Sequence, residues 1–247
     1  MLLLLHGFCE SHAIFDGLLA QLSISCRVIC PDMPGHGGLS WGKGWRSLDD
    51  GACWLRDLLD ALGIEHCVLV GHSLGGYLAA AFADEFPERL AGLGMLHSTA
   101  LDDAPERREM RSKTIQFVEE YGKEPFLRAF VPGLFHDPEP SWLEALYKIT
   151  APTDVEAIIA LTRIMRDRPD RSAAIGRLQV PVMYITGGHD GLVSPERSRL
   201  ELQDLGIALL NRIPEASHMG MYETPEKVVD AILSLMEVST AHFDAGQ

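Results

Sequence analysis

Residues 67–77 read Cys-Val-Leu-Val-Gly-His-Ser-Leu-Gly-Gly-Tyr, and this stretch decides the fold. Four apolar, strand-forming residues precede Gly71, while an Ala-rich, helix-forming run follows Ser73 over residues 74–86 and stops at Pro87. The pattern predicts a buried strand that turns sharply into a helix, with Ser73 at the apex. Glycines two residues before and two residues after this serine leave room for the chain to pass close to itself.

Strand and helix patterns alternate around this stretch, which predicts a parallel sheet with right-handed crossovers and helices on both faces. The predicted strands cover residues 2–5, 27–31, 67–70, 93–97, 181–186 and 208–213. The predicted helices cover residues 12–21, 47–62, 74–86, 195–205 and 225–238. We therefore expect an α/β protein with a mostly parallel, six-stranded sheet.

The alternation is interrupted between residues 101 and 176, where helical patterns cut by prolines contain no good strand. We expect an α/β core over residues 1–100 and 177–239, a helical insertion over 101–176 and a loose tail over 240–247. An insertion after a strand lies over the crevice in which such sheets bind ligands. It is therefore predicted to be a lid or cap, with an ordinary packed helical subdomain as the alternative.

Composition excludes several classes of protein. A net charge of −14 without a basic cluster argues against nucleic-acid binding and does not favour a strongly anionic substrate. The apolar start, residues 1–5, is too short for a secretory signal, and no apolar run approaches the roughly 20 residues of a membrane span. The five cysteines lack C-x-x-C pairing, which indicates free thiols and a reducing, cytoplasmic compartment.

Three residues at predicted strand ends have the chemistry of a nucleophilic site. A serine hydroxyl attacks a carbonyl only when a base takes its proton, and that base is usually a histidine oriented by a carboxylate. Asp190 follows the fifth strand, and His218 follows the sixth. Alone, Asp190 reads equally well as a turn residue and His218 as a surface histidine. Because carboxyl ends of parallel strands lie on one side of a sheet, we expect Ser73, Asp190 and His218 to meet there.

Backbone amides beside this predicted site suit an oxyanion. Gly7 ends the first strand on the same side of the sheet, so the N–H of Phe8 can point into the site. Leu74 begins the helix after Ser73, where N–H groups have no partner inside the helix. We expect these two amides to stabilise the negative charge that develops on a carbonyl oxygen.

The motifs together resemble the α/β-hydrolase superfamily. They are Leu-His-Gly-Phe ending at Phe8, Asp-Met-Pro-Gly-His-Gly over 32–37 with Ser40, Gly-His-Ser-Leu-Gly-Gly over 71–76, Phe-Pro-Glu-Arg over 86–89, Gly-Gly-His-Asp ending at Asp190, and Ser217-His218. The resemblance implies Ser73 as nucleophile, His218 as base, Asp190 as acid, and Phe8 and Leu74 as oxyanion donors. It implies no cofactor. Within the superfamily the chain looks most like small bacterial esterases and enol-lactonases.

Two departures from the family pattern leave alternatives open. Family members usually begin with an antiparallel hairpin, whereas this sequence starts on the His-Gly strand. The sheet is then a six-stranded form in the order 2-1-3-4-5-6, or the native start lies upstream of Met1. Some members take the acid from after the fourth strand, where Asp102 and Asp103 lie here. Asp190 is preferred because it sits in a Gly-x-x-Asp turn.

Other side chains are assigned to the surroundings of the site. We expect the pocket to be lined by His97, Phe126, Phe130, Trp142 and Met219. The remaining histidines have structural readings. His6 and His36 are expected to brace backbone turns, and His72 to pack beneath the strand-to-helix turn. No further ligand with supporting spacing joins His189, Asp190 and His218, so no metal site is predicted.

The leading hypothesis is a serine hydrolase that cleaves small carboxylic esters or lactones through an acyl-enzyme on Ser73. The alternative keeps the same three residues but cleaves a C–C bond or drives an elimination, as a synthase of this superfamily does. Tyr77 stands where that synthase is expected to have arginine. A third hypothesis is a ligand-binding receptor on a hydrolase fold without catalysis. The expected partner is a small molecule, with no nucleic acid and no membrane; the sequence does not specify an oligomeric state.

Overall fold

The computed structural model describes residues 1–194 and 208–245 and contains one six-stranded sheet in the order β2-β1-β3-β4-β5-β6. Every pair of neighbouring strands is parallel, and the predicted strand order is confirmed. The strands are β1 (Leu2–Leu5), β2 (Val28–Ile29), β3 (Cys67–His72), β4 (Leu90–Leu96), β5 (Val182–Gly187) and β6 (Ala208–Ile213). The edge strand β2 is shorter than predicted.

Both faces of the central strands are buried, as expected for a sheet covered by helices on each side. All four residues of β1 are fully buried. Because side chains alternate along a strand, Leu3 and Leu5 join one hydrophobic cluster, while Leu2 and Leu4 join the other. The two clusters hold the helices of the core against opposite faces of the sheet.

Helices of the core cover the two faces in a simple division. One face packs against α2 and α3, and the other packs against α1 and α10. The helices are α1 (Asp16–Ser25), α2 (Leu48–Ala61), α3 (Leu74–Glu85), α9 (Gly220–Glu223) and α10 (Pro225–Ala245). The helix predicted from residue 12 begins instead with a 3-10 turn, His12–Phe15. The helix predicted over 195–205 lies outside the described residues.

The segment 101–176 is helical throughout its regular structure, as predicted. It contains α4 (Pro105–Tyr121), α5 (Lys123–Phe130), a 3-10 turn (Pro132–Leu134), α6 (Pro140–Thr150), α7 (Val155–Asp167) and α8 (Ser172–Gly176). Several hydrogen bonds fasten it to the core, and two of them join loops near the amino-terminal strands. The Thr153 hydroxyl donates to the Cys9 carbonyl over 3.0 Å, and the Asp154 N–H donates to the Gly35 carbonyl over 2.8 Å.

The expectation of a loose tail over residues 240–247 is wrong for residues 240–245, which belong to α10, while residues 246 and 247 lie outside the described residues. Burial explains the continuation. Ser239 is fully buried, and its side chain occupies the space beside the Cα of Gly92 on β4. One turn later the Phe243 ring lies 5.4 Å from the His66 ring. The inward face of the helix thus extends past residue 238. None of the helices within the described ranges is long and apolar enough to cross a membrane.

Candidate active site

The turn around Ser73 has the strained geometry that its sequence predicts. Ser73 adopts φ +50° and ψ −113°, a conformation that few L-residues adopt. Glycine is required on both sides of it. A Cβ on Gly71 would collide with the carbonyl of Gly75, and a Cβ on Gly75 would collide with the carbonyl of Leu5. The turn therefore brings strand and helix closer together than side chains allow.

Hydrogen bonds from β4 and the residues after it hold Ser73 in this conformation. Its N–H donates to the Leu96 carbonyl over 3.0 Å, and its carbonyl accepts from the Ser98 hydroxyl over 2.7 Å. The Ser98 side chain also fills the space beside Gly76, the second glycine of the pair. The main chain on both sides of the serine is thus fixed by its neighbours.

Asp190 and His218 meet at the carboxyl ends of β5 and β6. His218 Nδ1 lies 2.9 Å from Asp190 Oδ2. The other carboxylate oxygen accepts the N–H groups of Leu192 and Val193 over 2.8 and 2.9 Å. Burial alone would raise the pKa of Asp190, but His218, followed by His97, holds it well below its usual value. Asp190 is therefore an ionised carboxylate that orients the imidazole of His218.

Ser73 and His218 line one cavity of about 40 Å³. Its floor is formed by loops at the ends of the strands, which contribute Phe8, Glu10 and Leu192, and by Tyr77 on α3. Its cover comes from the helical segment, which contributes Arg107, Arg111, Phe130, Leu134 and Met165. Within the described residues, His218 Nε2 makes no hydrogen bond to protein, so this nitrogen is left to act on a group in the cavity.

The alternative acids after β4 are engaged elsewhere. Asp102 pairs with Arg108 at 2.6 Å. Asp103 pairs with Arg111 and with Arg168, the latter at 2.7 Å. The carboxylate that contacts His218 Nδ1 is that of Asp190.

The two expected oxyanion amides have no competing acceptor. Among residues 1–194 and 208–245, neither the Phe8 N–H nor the Leu74 N–H donates to a protein group. Leu74 is the first residue of α3, where an amide has no partner within the helix. Phe8 and Leu74 are both buried, so their amides are donors without a partner beside Ser73.

A second carboxylate–histidine pair lies directly behind Ser73. The Glu10 carboxylate accepts the Gly7 N–H over 2.6 Å and lies 2.9 Å from His72 Nδ1. On its other side, His72 Nε2 lies 2.9 Å from the His218 carbonyl. Both ring nitrogens face oxygen acceptors, so both carry protons and His72 is a cation. Burial would lower the pKa of His72, but Glu10 raises it above its usual value.

The burial of His72 beneath the turn was expected from the sequence, whereas its partner Glu10 was not. The signal available was weak: an acidic residue three positions after Gly7, in a loop predicted to lie beside the site. His6 and His36 brace turns as predicted. His6 Nε2 accepts the Met33 N–H over 3.0 Å, and His36 Nε2 accepts the Cys9 N–H over 3.2 Å.

The predicted pocket residues have different positions. Phe130 lines the cavity, whereas Phe126 lies behind it, stacked on Phe130 at 5.3 Å between ring centroids. Trp142 does not line the cavity, because its ring stacks on Phe135 at 5.8 Å. Met219 does not line it either, because its side chain is fully buried in the hydrophobic cluster beneath β5 and β6.

His97 also lies outside the cavity, in the layer below it. It is fully buried at φ +46°, and its Nδ1 lies 3.4 Å from Asp190 Oδ2. Gly220 lies against its Nε2 so closely that a Cβ there would collide with the ring. Burial lowers the pKa of His97 to about 4, so the ring is neutral at physiological pH. His97 was predicted to line the pocket, and instead it contacts Asp190 from outside the cavity.

Other parts of the molecule do not compete for this chemistry. Within the described ranges, no group of three or more His, Cys, Asp or Glu side chains is placed to hold a metal ion. His189, considered as a ligand, stacks on His136 with ring centroids 4.0 Å apart. A larger groove of about 510 Å³ borders Leu90, Val180 and Phe243, at the amino ends of the strands. Ligands of parallel sheets bind at the opposite, carboxyl ends.

Comparisons with known proteins find relatives that match most of the chain. The chain is 27% identical over 245 residues to 2-succinyl-6-hydroxy-2,4-cyclohexadiene-1-carboxylate synthase of Enterobacter, covering 96% of this chain and 92% of that protein. It is 26% identical over 215 residues to 3-oxoadipate enol-lactonase 2 of Acinetobacter baylyi, covering 85% and 78%. It also matches uncharacterized mycobacterial proteins at 40% identity over 87 residues, but spans only 26% of their length.

Among solved structures, a malate-bound thermophilic esterase from Thermogutta terrifontis superimposes with a TM-score of 0.88. The two chains are 28% identical, with 96% of this chain and 89% of that chain covered. The sequence model of the Alpha/beta hydrolase family matches residues 2–231. The fold is the alpha/beta hydrolase fold, and the chain belongs to the alpha/beta hydrolase family.

Proposed function

We propose that this protein is a serine hydrolase that cleaves small carboxylic esters or lactones through an acyl-enzyme on Ser73. The observation that carries the proposal is the shared cavity of Ser73 and His218, with His218 held by Asp190 on the far side of its ring. The similarity to an esterase and to an enol-lactonase supports the same reaction class.

In this proposal His218 Nε2 takes the proton of the Ser73 hydroxyl as its oxygen attacks the substrate carbonyl. The negative charge that develops on the carbonyl oxygen is stabilised by the N–H groups of Phe8 and Leu74. The leaving alkoxide receives the proton from His218. Water, deprotonated by the same nitrogen, then attacks the acyl-enzyme and releases the acid.

We also propose that the helical segment 101–176 acts as a lid. The cavity of about 40 Å³ holds little more than a water molecule, whereas binding sites for small organic molecules span about 300–1,000 Å³. Its cover consists of side chains from that segment, on α4, α5 and α7 and in the turn after α5. Admission of an ester therefore requires these helices to move away from Ser73.

The direct test is the Ser73→Ala variant with p-nitrophenyl acetate as substrate. We expect kcat to fall by about 10⁴-fold or more, because the nucleophile is gone and only binding and oxyanion stabilisation remain. Ser141→Ala, at an exposed serine on α6, is the matched control and should retain the wild-type rate. Turnover by Ser73→Ala within tenfold of wild type would exclude Ser73 as the nucleophile.

A fluorophosphonate probe separates the enzyme from a non-catalytic receptor and also tests the lid. The folded protein should be labelled at Ser73, and an unlabelled serine would favour the receptor. In the labelled protein, amide hydrogen exchange in α4 and α5 should change relative to the free protein, since the phosphonyl group displaces their side chains. Unchanged exchange in both helices would contradict the lid.

The same residues support the alternative reaction, and the similarity to a synthase keeps it in view. Tyr77 lines the cavity where that synthase is expected to have arginine, which favours hydrolysis. An enol-lactone and a vinylogous dienone offered side by side discriminate the two. Faster turnover of the lactone supports the proposal, and faster cleavage of the dienone replaces it with C–C hydrolysis.

A further inference from the structure

One charged side chain in the cavity is not used by the proposed mechanism. Arg107, on the first turn of α4, lines the cavity together with Ser73 and His218 and is half-buried. Within residues 1–194 and 208–245, its guanidinium forms no ion pair and no hydrogen bond. Its neighbours Arg108 and Arg111 are paired with Asp102 and Asp103.

The position of Arg107 is electrostatically unfavourable for the folded protein by itself. A helix N-terminus carries partial positive charge, so acidic residues stabilise it and basic residues destabilise it. Here three arginines, Arg107, Arg108 and Arg111, outnumber the two acidic residues, Glu106 and Glu109, in the first two turns of α4. Burial, followed by the charge of Arg111, lowers the pKa of Arg107, which means that its surroundings oppose its charge.

The charges around Arg107 do not balance within the protein. Asp103 is shared by Arg111 and Arg168, and these residues are the charged neighbours of Arg107. Three guanidinium groups thus face one carboxylate. Arg168 is held in place by stacking on the Tyr77 ring, 3.9 Å from its centroid. An anion entering the cavity would reduce this excess of positive charge.

Glu10, the acidic residue that lines the cavity, does not cancel this charge. Glu10 is 1% exposed, and its carboxylate is taken up by the protonated His72 and by the Gly7 N–H. The pair as a whole is neutral. The cover of the cavity therefore carries an excess of positive charge although the whole chain carries −14, while the ionised Asp190 lies on the far side of His218.

We propose that Arg107 binds a carboxylate of the substrate, so that the ester or lactone attacked by Ser73 carries a free acid group. A guanidinium presents paired N–H groups that match the two oxygens of a carboxylate. Because Arg107 belongs to α4, the segment that covers the site also supplies the group that binds the substrate carboxylate. This inference rests on the proposed function for its substrate class, while the anion site is testable by binding alone.

Kinetics with matched substrates test the preference. On the acyl side, p-nitrophenyl hydrogen adipate is compared with neutral p-nitrophenyl hexanoate; on the alcohol side, 4-acetoxybenzoate is compared with 4-acetoxybenzamide. The wild type should favour the anion of at least one pair by about tenfold or more in kcat/KM. Arg107→Gln should abolish that ratio, and Arg107→Lys should restore part of it. Arg108→Gln, next to Arg107 but paired outside the cavity, should keep the wild-type ratio.

Binding separates this inference from the proposed function. Calorimetric titration with glutarate, which has no bond to cleave, should show binding to Ser73→Ala and a loss of at least about tenfold in affinity on adding Arg107→Gln. Glutarate binding without ester turnover would retain the anion site and reject the hydrolase. Ester turnover with no anion preference in either pair, and no effect of Arg107→Gln on glutarate, would overturn the anion site.

Discussion

Two histidine–carboxylate pairs lie side by side at the carboxyl edge of the sheet and differ in the second nitrogen of the ring. In both pairs Nδ1 lies 2.9 Å from a carboxylate oxygen, of Asp190 for His218 and of Glu10 for His72. The His72 Nε2 is bound to the His218 carbonyl, whereas the His218 Nε2 has no partner among the described residues. The same contact thus accompanies a fixed cation in one pair and a ring nitrogen left open to the cavity in the other.

The difference teaches that the environment of the second nitrogen decides the role of a buried histidine. Glu10 accepts the Gly7 N–H, His72 contacts the His218 carbonyl, and the two side chains contact each other. Because His72 directly precedes Ser73, the pair links the loop of Gly7, the turn of Ser73 and the loop of His218. The charged ring of His72 thus holds these three segments in position. His218 is held on one side only, so its Nε2 remains open to a group in the cavity.

The largest effect is expected when the acid of the first pair is changed. Asp190→Asn keeps an oxygen for the Leu192 and Val193 amides but loses the charge that orients His218. We expect kcat on p-nitrophenyl acetate to fall by about 10⁴-fold, with the fold retained by circular dichroism. Asp102→Asn, at the alternative acid, is the matched control and should retain activity. A large loss in that variant alone would move the acid to Asp102.

The second effect concerns stability, because Glu10→Gln leaves the His72 cation buried without a counter-charge. We expect the free energy of unfolding in urea to fall by about 3 kcal/mol near pH 6. Glu85→Gln, at the exposed end of α3, should change it little. A loss no larger than that of the control would show that the second pair does not hold the loops together.

The pH dependence of that loss follows from the two pKa shifts. The pKa of His72 is raised from 6.5, so its contribution is complete below pH 6.5 and is lost as the pH rises through the raised value. The pKa of Glu10 is lowered from 4.5, although burial opposes this, so its contribution is present above pH 4.5 and is lost in acid. The difference between wild type and Glu10→Gln should therefore be larger at pH 6 than at pH 9.

The smallest effect is expected at His97, which contacts Asp190 from below without sharing in either pair. Asparagine tolerates the positive φ of this position better than most residues do, so His97→Asn tests the ring and not the backbone. We expect kcat to fall about fivefold, equivalent to about 1 kcal/mol, with KM unchanged. A fall comparable to that of Asp190→Asn would make His97 an equal partner of the acid.

The parts of the site that were predictable from sequence are those fixed by local backbone geometry. Gly71 and Gly75 indicate that strand and helix approach closely at Ser73. Asp190 and His218 each follow a predicted strand, and the structure brings them together. Because parallel strands deliver their ends to one edge, three local signals sufficed to assemble a site from residues 145 positions apart. The order of the strands followed from the same rules.

The remaining features depend on packing between distant segments. Glu10 and His72 are 62 residues apart, and neither has a local motif that announces the pair. Arg107 resembles a solvated residue on a charged helix until α4 is packed over the sheet. Trp142 was expected in the pocket because it is an aromatic residue of the predicted lid. The face of α6 that turns inward depends on packing, and the Trp142 ring packs on Phe135.

The backbone of Ser73 has a consequence for the stability of the whole protein. Its φ of +50° costs a residue with a Cβ about 1–3 kcal/mol, a strain that glycine would largely escape. The proposed nucleophile thus combines a role in catalysis with a cost in stability, and selection for heat resistance alone would favour replacing it. A serine at this position leaves the fold less stable than a glycine would.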